Sequence, residues 1–358
     1  MRTDLLFKKE PLFGLDIGSH TLKIVQVKKA GKAIKLVGYG NVQIPDGAVV
    51  EGIIADPEAL AKAASSIIKN PSWGKISARH VALALPESRV FTRIISLPVM
   101  DDEQLTEAIR WETQQYVPMP IDDLYTDHEI VEQLPHKPND EPRQNVLLVA
   151  APRAIVDSYI KFCEFLNITP SIIELSLSAV VRADIAFDQS SAHTLVADLG
   201  SISTDIAIYN KSLKLTASIP IGGDKLTEII SSKLKISPEQ AEEVKCKFGL
   251  GESDLKSKVS AALSPQLTTL VTELRKVIKF YEQRDSEQNE RKISAVLLAG
   301  GGAGMPGLTE YLESALGTKV AVGDPWQNLS TYPLKPLPRS VATVYTTSIG
   351  LALRKAAR

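Results

Sequence analysis

Long apolar runs are missing from this chain. None approaches the roughly 18 residues that cross a bilayer, and the opening MRTDLLFKKEPLFGLDIG has neither the apolar core nor the cleavage site of a signal peptide. A cytoplasmic location with no direct membrane span is therefore expected. Cysteine is scarce: Cys163 and Cys246 stand far apart, with no CxxC and no Cys/His ligand spacing, which excludes a disulfide framework and reads as two reduced thiols. The five scattered histidines form no HExxH pattern, so no zinc site is expected. An excess of one charge is also lacking, since 41 basic side chains face 42 acidic ones without a long basic run, and this argues against DNA or RNA as partners. Neither G-x-x-x-x-G-K-[ST] nor G-x-S-x-G occurs, so P-loop NTPase and α/β-hydrolase readings fail at their first test.

What is present is ordinary globular composition on a long chain. Hydrophobic residues make up 44% and charged residues 23% of 358 positions, a length that favours two lobes over one core. Two segments resemble each other across half the chain, Asp16-Ile-Gly-Ser-His-Thr-Leu-Lys-Ile-Val-Gln-Val27 and Asp198-Leu-Gly-Ser-Ile-Ser-Thr-Asp-Ile-Ala-Ile-Tyr209. Each is an apolar β-rich run, a D-x-G-S turn and a second β-rich run, which reads as a hairpin. A repeat at this spacing suits two similar lobes facing each other and is too wide for a solenoid.

Between the hairpins lies an inserted segment at 88–168. VALALPESRV and FTRIISLPV read as strands, DDEQLTEAIRWETQQYV (101–117) as a helix and NVLLVAAP (145–152) as a strand. The proline-studded stretch 117–143 predicts an exposed, mobile connection with at most one short strand. After the second hairpin, a strand ends at Gly222-Gly223, and Asp224 opens a helix. SPEQAEEVKCKFG (237–249) has a Ser cap, an early Pro and a terminal Gly. PQLTTLVTELRKVIKFYEQR (265–284) carries Leu267, Leu270, Val271, Leu274, Val277, Ile278 and Tyr281 on one face. ISAVLLAGGGAGMPGLTEYLESAL (293–316) is strand, glycine loop and helix, TKVAVGDP is a strand, and SVATVYTTSIGLALRK a closing helix, so the class is α/β.

The first hairpin has the parts of a phosphate site. Gly18 permits close backbone approach to a polyphosphate, Ser19 adds a hydroxyl, and Lys23 lies within reach of the same turn. Asp16 beside a triphosphate makes chemical sense as a partner of Mg²⁺ through water. Asp198, Gly200, Ser201 and Thr204 repeat this logic, so that two loops could clamp one nucleotide. Taken singly, D-x-G-S is also plain turn chemistry; duplicated and followed by a glycine loop, it points to the nucleotide. Gly302-Ala-Gly304-Met-Pro-Gly307 matches the dinucleotide fingerprint G-x-G-x-x-G, with Asp324 ending the next strand. A Rossmann fold leaves the paired Asp hairpins unexplained, and no βαβ series continues after that strand.

The ordered motifs D-x-G-S-x-x-x-K (16–23), D-x-G-S-x-x-T-D (198–205), G-G-D (222–224), A-E-E-V-K (241–245) and G-G-G-A-G-M-P-G (300–307) resemble the actin, Hsp70 and sugar-kinase superfamily, and within it the FtsA/PilM branch. FGLDIGSHTLKIVQV, LALPESRVFTRIISLPVMDDEQLTEAIRWETQQYVPMPIDD and the ending SIGLALR are most similar to the PilM family of type IV pilus assembly. The resemblance implies a duplicated, actin-like (ribonuclease H-like) two-lobed α/β fold with an FtsA-type 1C subdomain. Subdomain 1A would span 1–87 and 169–192, 1C 88–168, 2A 193–222 and 293–339, and 2B 223–292, with 340–358 as a closing helix returning to 1A. It implies ATP and Mg²⁺ as ligands, with Asp16, Gly18, Ser19 and Lys23 in the first phosphate loop and Asp198, Gly200, Ser201 and Thr204 in the second. Gly222 and Gly223 would follow that loop, Glu242 and Lys245 would reach the ribose or base, and Gly300, Gly301, Gly302 and Met305 would line the adenosine. The E-x-x-K spacing allows this, and also allows a simple ion pair along a helix. His20 stands where many relatives carry a small residue.

The family further implies a groove between 1C and 1A for the N-terminal cytoplasmic peptide of PilN, a single-pass membrane protein, together with contacts to other proteins of the pilus inner-membrane platform. Localisation would be cytoplasmic, at the membrane face through partners, with homo-oligomer formation left open. Trp111 and Tyr116 are groove candidates whose spacing equally fits a core. Glu174 is the candidate to orient an attacking water, and at most weak ATPase activity is expected. The alternatives are an FtsA-like cell-division membrane tether, for which SVATVYTTSIGLALRKAAR has a superficially amphipathic look, and an ATP-dependent small-molecule kinase.

Overall fold

Apolar residues run through LFGLDI and TLKIVQV, and the chain reverses at Gly18, so the two pair as antiparallel strands β1 (Leu12–Ile17) and β2 (Thr21–Ala30). The computed structural model describes residues 11–134, 140–185, 192–283, 291–332 and 337–356. Strand β3 (Ala33–Gln43) extends the meander, and a ribbon of β4 (Val49–Val50) and β5 (Ile53–Ile54) leads to helix α1 (Pro57–Lys69), capped by the Asp56 carboxylate. Strand β6 (Trp73–Gly74) borders β3, and β7 (His80–Leu85) runs parallel to β1. Next come β8 (Phe91–Pro98), α2 (Asp102–Tyr116) with an Asp101 capping box, β9 (Leu124–Gln133) and β10 (Arg143–Pro152). Helix α3 (Arg153–Leu166), strand β11 (Thr169–Leu175) parallel to β7, and α4 (Ser176–Asp184) complete the first half.

The second half begins again with a meander, β12 (Thr194–Leu199), β13 (Thr204–Asn210) and β14 (Ser212–Ile219). Helices α5 (Gly223–Leu234), α6 (Pro238–Lys247) and α7 (Lys256–Gln283) follow. Strand β15 (Ala295–Ala299), helix α8 (Leu308–Leu316) and strand β16 (Val320–Val322) then lead to α9 (Arg339–Ala342) and α10 (Thr346–Ala356). One sheet has the order β11-β7-β1-β2-β3-β6 and the other β16-β15-β12-β13-β14. Strand for strand, β11-β7-β1-β2-β3 and β16-β15-β12-β13-β14 share order and sense. The duplicated D-x-G-S turns thus occupy equivalent corners of two equivalent sheets.

Each lobe has its own core, around Phe13, Leu15, Leu22 and Leu83 in the first and Leu195, Ile206, Leu263 and Leu298 in the second. A separate three-stranded sheet, β8-β10-β9, packs its apolar face on α2 through Ile95, Leu105, Ile109 and Val146. Helix α10 returns to the first lobe, where it lies against α4, β1 and β2 with every residue from Thr346 to Leu353 buried. Packing there is close enough that a methyl at Gly350 would overlap the Ala179 carbonyl and one at Gly14 the Ser348 carbonyl.

Several expectations need correction. Strand β9 is ten residues long, not a short strand in a loose connection. Its backbone ladder gives central β10 a partner, with Pro118 and Pro120 ahead of the strand; residues 135–139 lie outside the described residues. Helix α3, expected inside the 88–168 insertion, packs on α1 and buries Tyr159, Phe162 and Cys163 in the first-lobe core. Helix α7 begins at Lys256, ahead of the expected Pro265, because Val259, Ala262 and Leu263 extend its buried stripe. Closure is by two helices separated by a 3₁₀ turn at Thr343–Tyr345. The amphipathic look of the segment is core packing rather than a membrane face.

Gly350→Ala tests the close packing. Helix propensity would favour alanine by about 1 kcal/mol, and overlap with a backbone carbonyl opposes it by roughly 1–3 kcal/mol. A net loss of stability is expected in urea unfolding; an unchanged midpoint would show that α10 and α4 can separate at little cost.

Candidate functional site

The two turns are the centre of the site. In the first, Gly18 N–H donates to the Thr21 carbonyl (3.1 Å) and holds the bend, leaving Ser19 partly exposed. Asp16 and Lys23 face each other across the hairpin, Nζ to Oδ2 3.2 Å, with side chains 15% and 14% exposed. In the second, Gly200 N–H donates to the Ser203 carbonyl (2.9 Å). Here Asp198 faces Asp205, which occupies the place Lys23 has in the first hairpin. One pair sets an acid against a base, and the other sets two acids side by side.

The start of α5 braces the second turn. Gly223 N–H donates to the Gly200 carbonyl and Asp224 N–H to the Ser201 carbonyl, each at 2.9 Å. A side chain at Gly222 would overlap the backbone of Ser201 and Ile202. Gly222 and Gly223, expected to contact nucleotide, therefore support the loop from behind. Thr204 is likewise buried and donates its hydroxyl to the Ile221 carbonyl (2.7 Å), which corrects its expected role in the phosphate loop.

The glycine loop lies against the same turn, because β15 pairs with β12 in a register that sets Ala299 beside Asp198. Gly300 has φ +76°, and a Cβ there would overlap the Asp198 carboxylate. Gly301 is exposed and Gly302 half-buried, whereas Met305 is buried in the second-lobe core against Gly249. Glu242 and Lys245 form an ion pair (2.6 Å), but not a surface one. Lys245 is buried and also donates to the Gly223 carbonyl (3.0 Å) and Thr227 Oγ1 (2.7 Å), which ties α6 to the first turn of α5. Glu242 remains about half exposed and accepts from Thr227 as well.

The lobes meet here. Asp198 is pushed up to about 7 by burial first, then by Asp205 and Asp16, with Lys23 pulling it down. His20, from the first turn, reaches across to Asp224, its Nε2 2.9 Å from both carboxylate oxygens. The structure thus gathers Asp16, Gly18, Ser19, Lys23, Asp198, Gly200, Ser201 and Gly300–Gly302 around one cleft.

A family model described as type IV pilus assembly protein PilM matches residues 14–356. The chain belongs to the PilM family. Its fold is actin-like: the structure titled as a PilM–PilN type IV pilus biogenesis complex superposes with a TM-score of 0.83 at 25% identity, covering 98% of this chain and 99% of that one. MreB5 of Spiroplasma citri bound to AMPPNP shares the fold with a TM-score of 0.56 at 15% identity, covering 98% of each chain. Among curated relatives, cell division protein FtsA of Streptococcus pneumoniae (strain D39) is 25% identical over 348 residues, 88% of this chain and 75% of that protein.

Against this PilM-family frame, three buried acids stand out that sequence reasoning did not nominate. Glu87 follows β7, is 5% exposed, and is pushed up to about 7 by burial and by Asp205; Thr92 donates to it at 3.3 Å. Thr92 in turn meets Thr216 of the second lobe at 3.0 Å. Asp205 is raised by burial while Ser218 and Ser203 hold it down. Asp184, at the end of α4, is buried against Gly323, and burial with Asp198 and Asp324 nearby raises it well above the carboxylate range. Only Asp205 had a sequence signal, as the last residue of the second motif. Glu174 is not open to a water: Arg182 clamps both its oxygens (2.6 and 2.8 Å), and Arg354 stands 3.4 Å away.

Asp198 makes a pH prediction with a definite sign. A carboxyl raised by folding contributes stability that is complete below its ordinary value near 4 and is lost as pH rises through about 7. Asp198→Asn should therefore raise the melting temperature at about pH 8, at about 1–2 °C per kcal/mol of repulsion removed for a chain of this length, with the difference shrinking as pH falls and vanishing near pH 4. Scanning fluorimetry without nucleotide or metal checks this; a difference that does not shrink on acidification would refute it.

Proposed function

We propose that this chain is an ATP-binding scaffold of the type IV pilus inner-membrane platform, which holds the N-terminal cytoplasmic peptide of a PilN-like membrane protein in a nucleotide-sensitive way. The observation that carries the nucleotide half is the convergence of two D-x-G-S turns and a glycine loop on one cleft, with Gly300 leaving room only for backbone beside Asp198. Asp16 and Asp198 are the residues that would hold Mg²⁺, through water. Among the described residues no three His, Cys, Asp or Glu side chains converge as a metal cage, which fits an ion carried largely by phosphate and water. When bound, that ion supplies charge neutralisation between the polyphosphate and the carboxylates.

The peptide half rests on the likeness to the PilM–PilN complex and on a cavity of about 360 Å³ where β9 and β10 meet α4 and the β13–β14 hairpin. Its wall includes Ile130, Val131, Leu147, Val181 and Leu213, with Arg182, Lys211 and Arg354 at hand. Such a space takes a few apolar side chains of an extended segment. Trp111 and Tyr116 lie outside this wall; both are exposed, and the Arg93 guanidinium stacks 3.5 Å from the Tyr116 ring centre. No helix among the described residues is long and apolar enough to cross a membrane, so attachment to the platform would come through the partner.

Fluorescence anisotropy with a labelled N-terminal peptide of the PilN-like protein tests this. Peptide affinity is expected to differ severalfold between AMPPNP-bound and nucleotide-free protein in Mg²⁺. Ile130→Arg, at a position 47% exposed, should weaken the peptide about tenfold, the loss of one good apolar contact made into a buried charge, and leave nucleotide affinity unchanged. Peptide binding indifferent to Ile130→Arg would dismiss the cavity, and failure to bind ATP or ADP in calorimetry would dismiss the nucleotide half.

A further inference from the structure

The contact between His20 and Asp224 joins a side chain of the first phosphate turn to the second lobe beside the other turn. His20 is anchored to the first lobe by its own backbone, since its carbonyl accepts from Ile44 N–H (2.8 Å). Asp224 is anchored to the second turn through its N–H on the Ser201 carbonyl (2.9 Å). The imidazole–carboxylate contact therefore spans the gap between the two turns. With side chains 61% and 47% exposed, the pair adds little to stability, as exposed ion pairs generally do. Its position gives it another use.

We propose that His20 is a ligand for the terminal phosphate of a nucleoside triphosphate, held by Asp224 until that phosphate takes its place. This rests on the nucleotide reading of the cleft. With adenosine at Gly300–Gly302 on the second lobe, the phosphate farthest from it is the one that meets the turn contributed by the first lobe, and His20 belongs to that turn. A terminal phosphate carries more negative charge than one carboxylate and offers more acceptor oxygens, so it outcompetes Asp224 for the same Nε2. A diphosphate lacks that group and leaves His20 on Asp224. The exchange would make this turn distinguish triphosphate from diphosphate, and only the triphosphate would release the bridge between the lobes.

Isothermal titration calorimetry on the full chain in Mg²⁺, with AMPPNP and ADP as probes, separates the outcomes. His20→Ala is expected to weaken AMPPNP about tenfold, the scale of one charge-assisted hydrogen bond, and to change ADP by less than about twofold. Asp224→Asn, which frees His20 and removes a negative charge, is expected to tighten AMPPNP severalfold. If His20→Ala weakens both nucleotides alike or neither, His20 is not the terminal-phosphate ligand, while the nucleotide reading stands. If Asp224→Asn weakens AMPPNP as much as His20→Ala does, the pair serves as a clasp and the exchange is refuted. If the unsubstituted protein binds neither nucleotide, the reading beneath the proposal falls and the proposal with it.

Discussion

The geometry of the cleft depends on how closely α10 can approach β1 and α4. Gly350 lies under the Ala179 carbonyl and Gly14 under the Ser348 carbonyl, so no methyl fits at either contact. Helix α4 follows the last strand of the first sheet, and α10 follows the last strand of the second and crosses back. Packed against each other, they join the two lobes through backbone rather than through adaptable side chains. Packing this close leaves little room for one helix to slide over the other. The equivalent corners of the two sheets, where the D-x-G-S turns lie, are held face to face as a result.

That placement concentrates negative charge. Duplication alone would put one lysine opposite each aspartate, yet Lys23 has no counterpart in the second hairpin, where Asp205 takes its position. Asp198 is left with Asp205 and Asp16 as neighbours, and Glu87 and Asp184 are raised by burial first and then by nearby acids, Asp205 for Glu87 and Asp198 with Asp324 for Asp184. Buried like charges cost stability unless a proton or cation intervenes. A fold that gathers them where the two turns meet suits a ligand bringing positive charge with it. The same excess explains why Lys245 is buried yet fully engaged: Glu242, Thr227 and the Gly223 carbonyl use its donors, so it stiffens the second lobe rather than offsetting the cleft.

Much of this was legible in the chain itself. The D-x-G-S turns could be read because glycine and aspartate have few ways to sit between two β-rich runs, and their repetition pointed to the matching sheets. The capped helices α2 and α6 were legible for the same local reason. What escaped was set by tertiary packing. Strand β9 is polar enough to read as a loop, and only its place beside β10 makes it a strand. Thr204 and Gly223 belong to the expected motifs, but their hydrogen bonds turn inward to brace a loop, and Gly222 packs against the same loop's backbone. Glu87 and Asp184 had no signal, because burial is a property of the folded neighbourhood and neither stands in a recognisable spacing.

The proposed coupling between nucleotide and peptide would have a physical route in one strand. β13 begins at the turn carrying Gly200 and Ser201, and at its far end Tyr209 lines the cavity beneath β9. Its neighbour β14 meets the three-stranded sheet through Thr216 on Thr92 (3.0 Å) and Lys214 on Glu132 (2.6 Å). A paired strand transmits displacement along its length, since sliding would break a row of ladder bonds on both sides. A shift of the second turn, were it to take up phosphate, would therefore move the cavity wall or strain its bridges to the inserted sheet. On the proposed reading, a lobe arrangement favoured by the nucleotide would change the cavity, and by linkage a peptide seated there would bias the nucleotide in return.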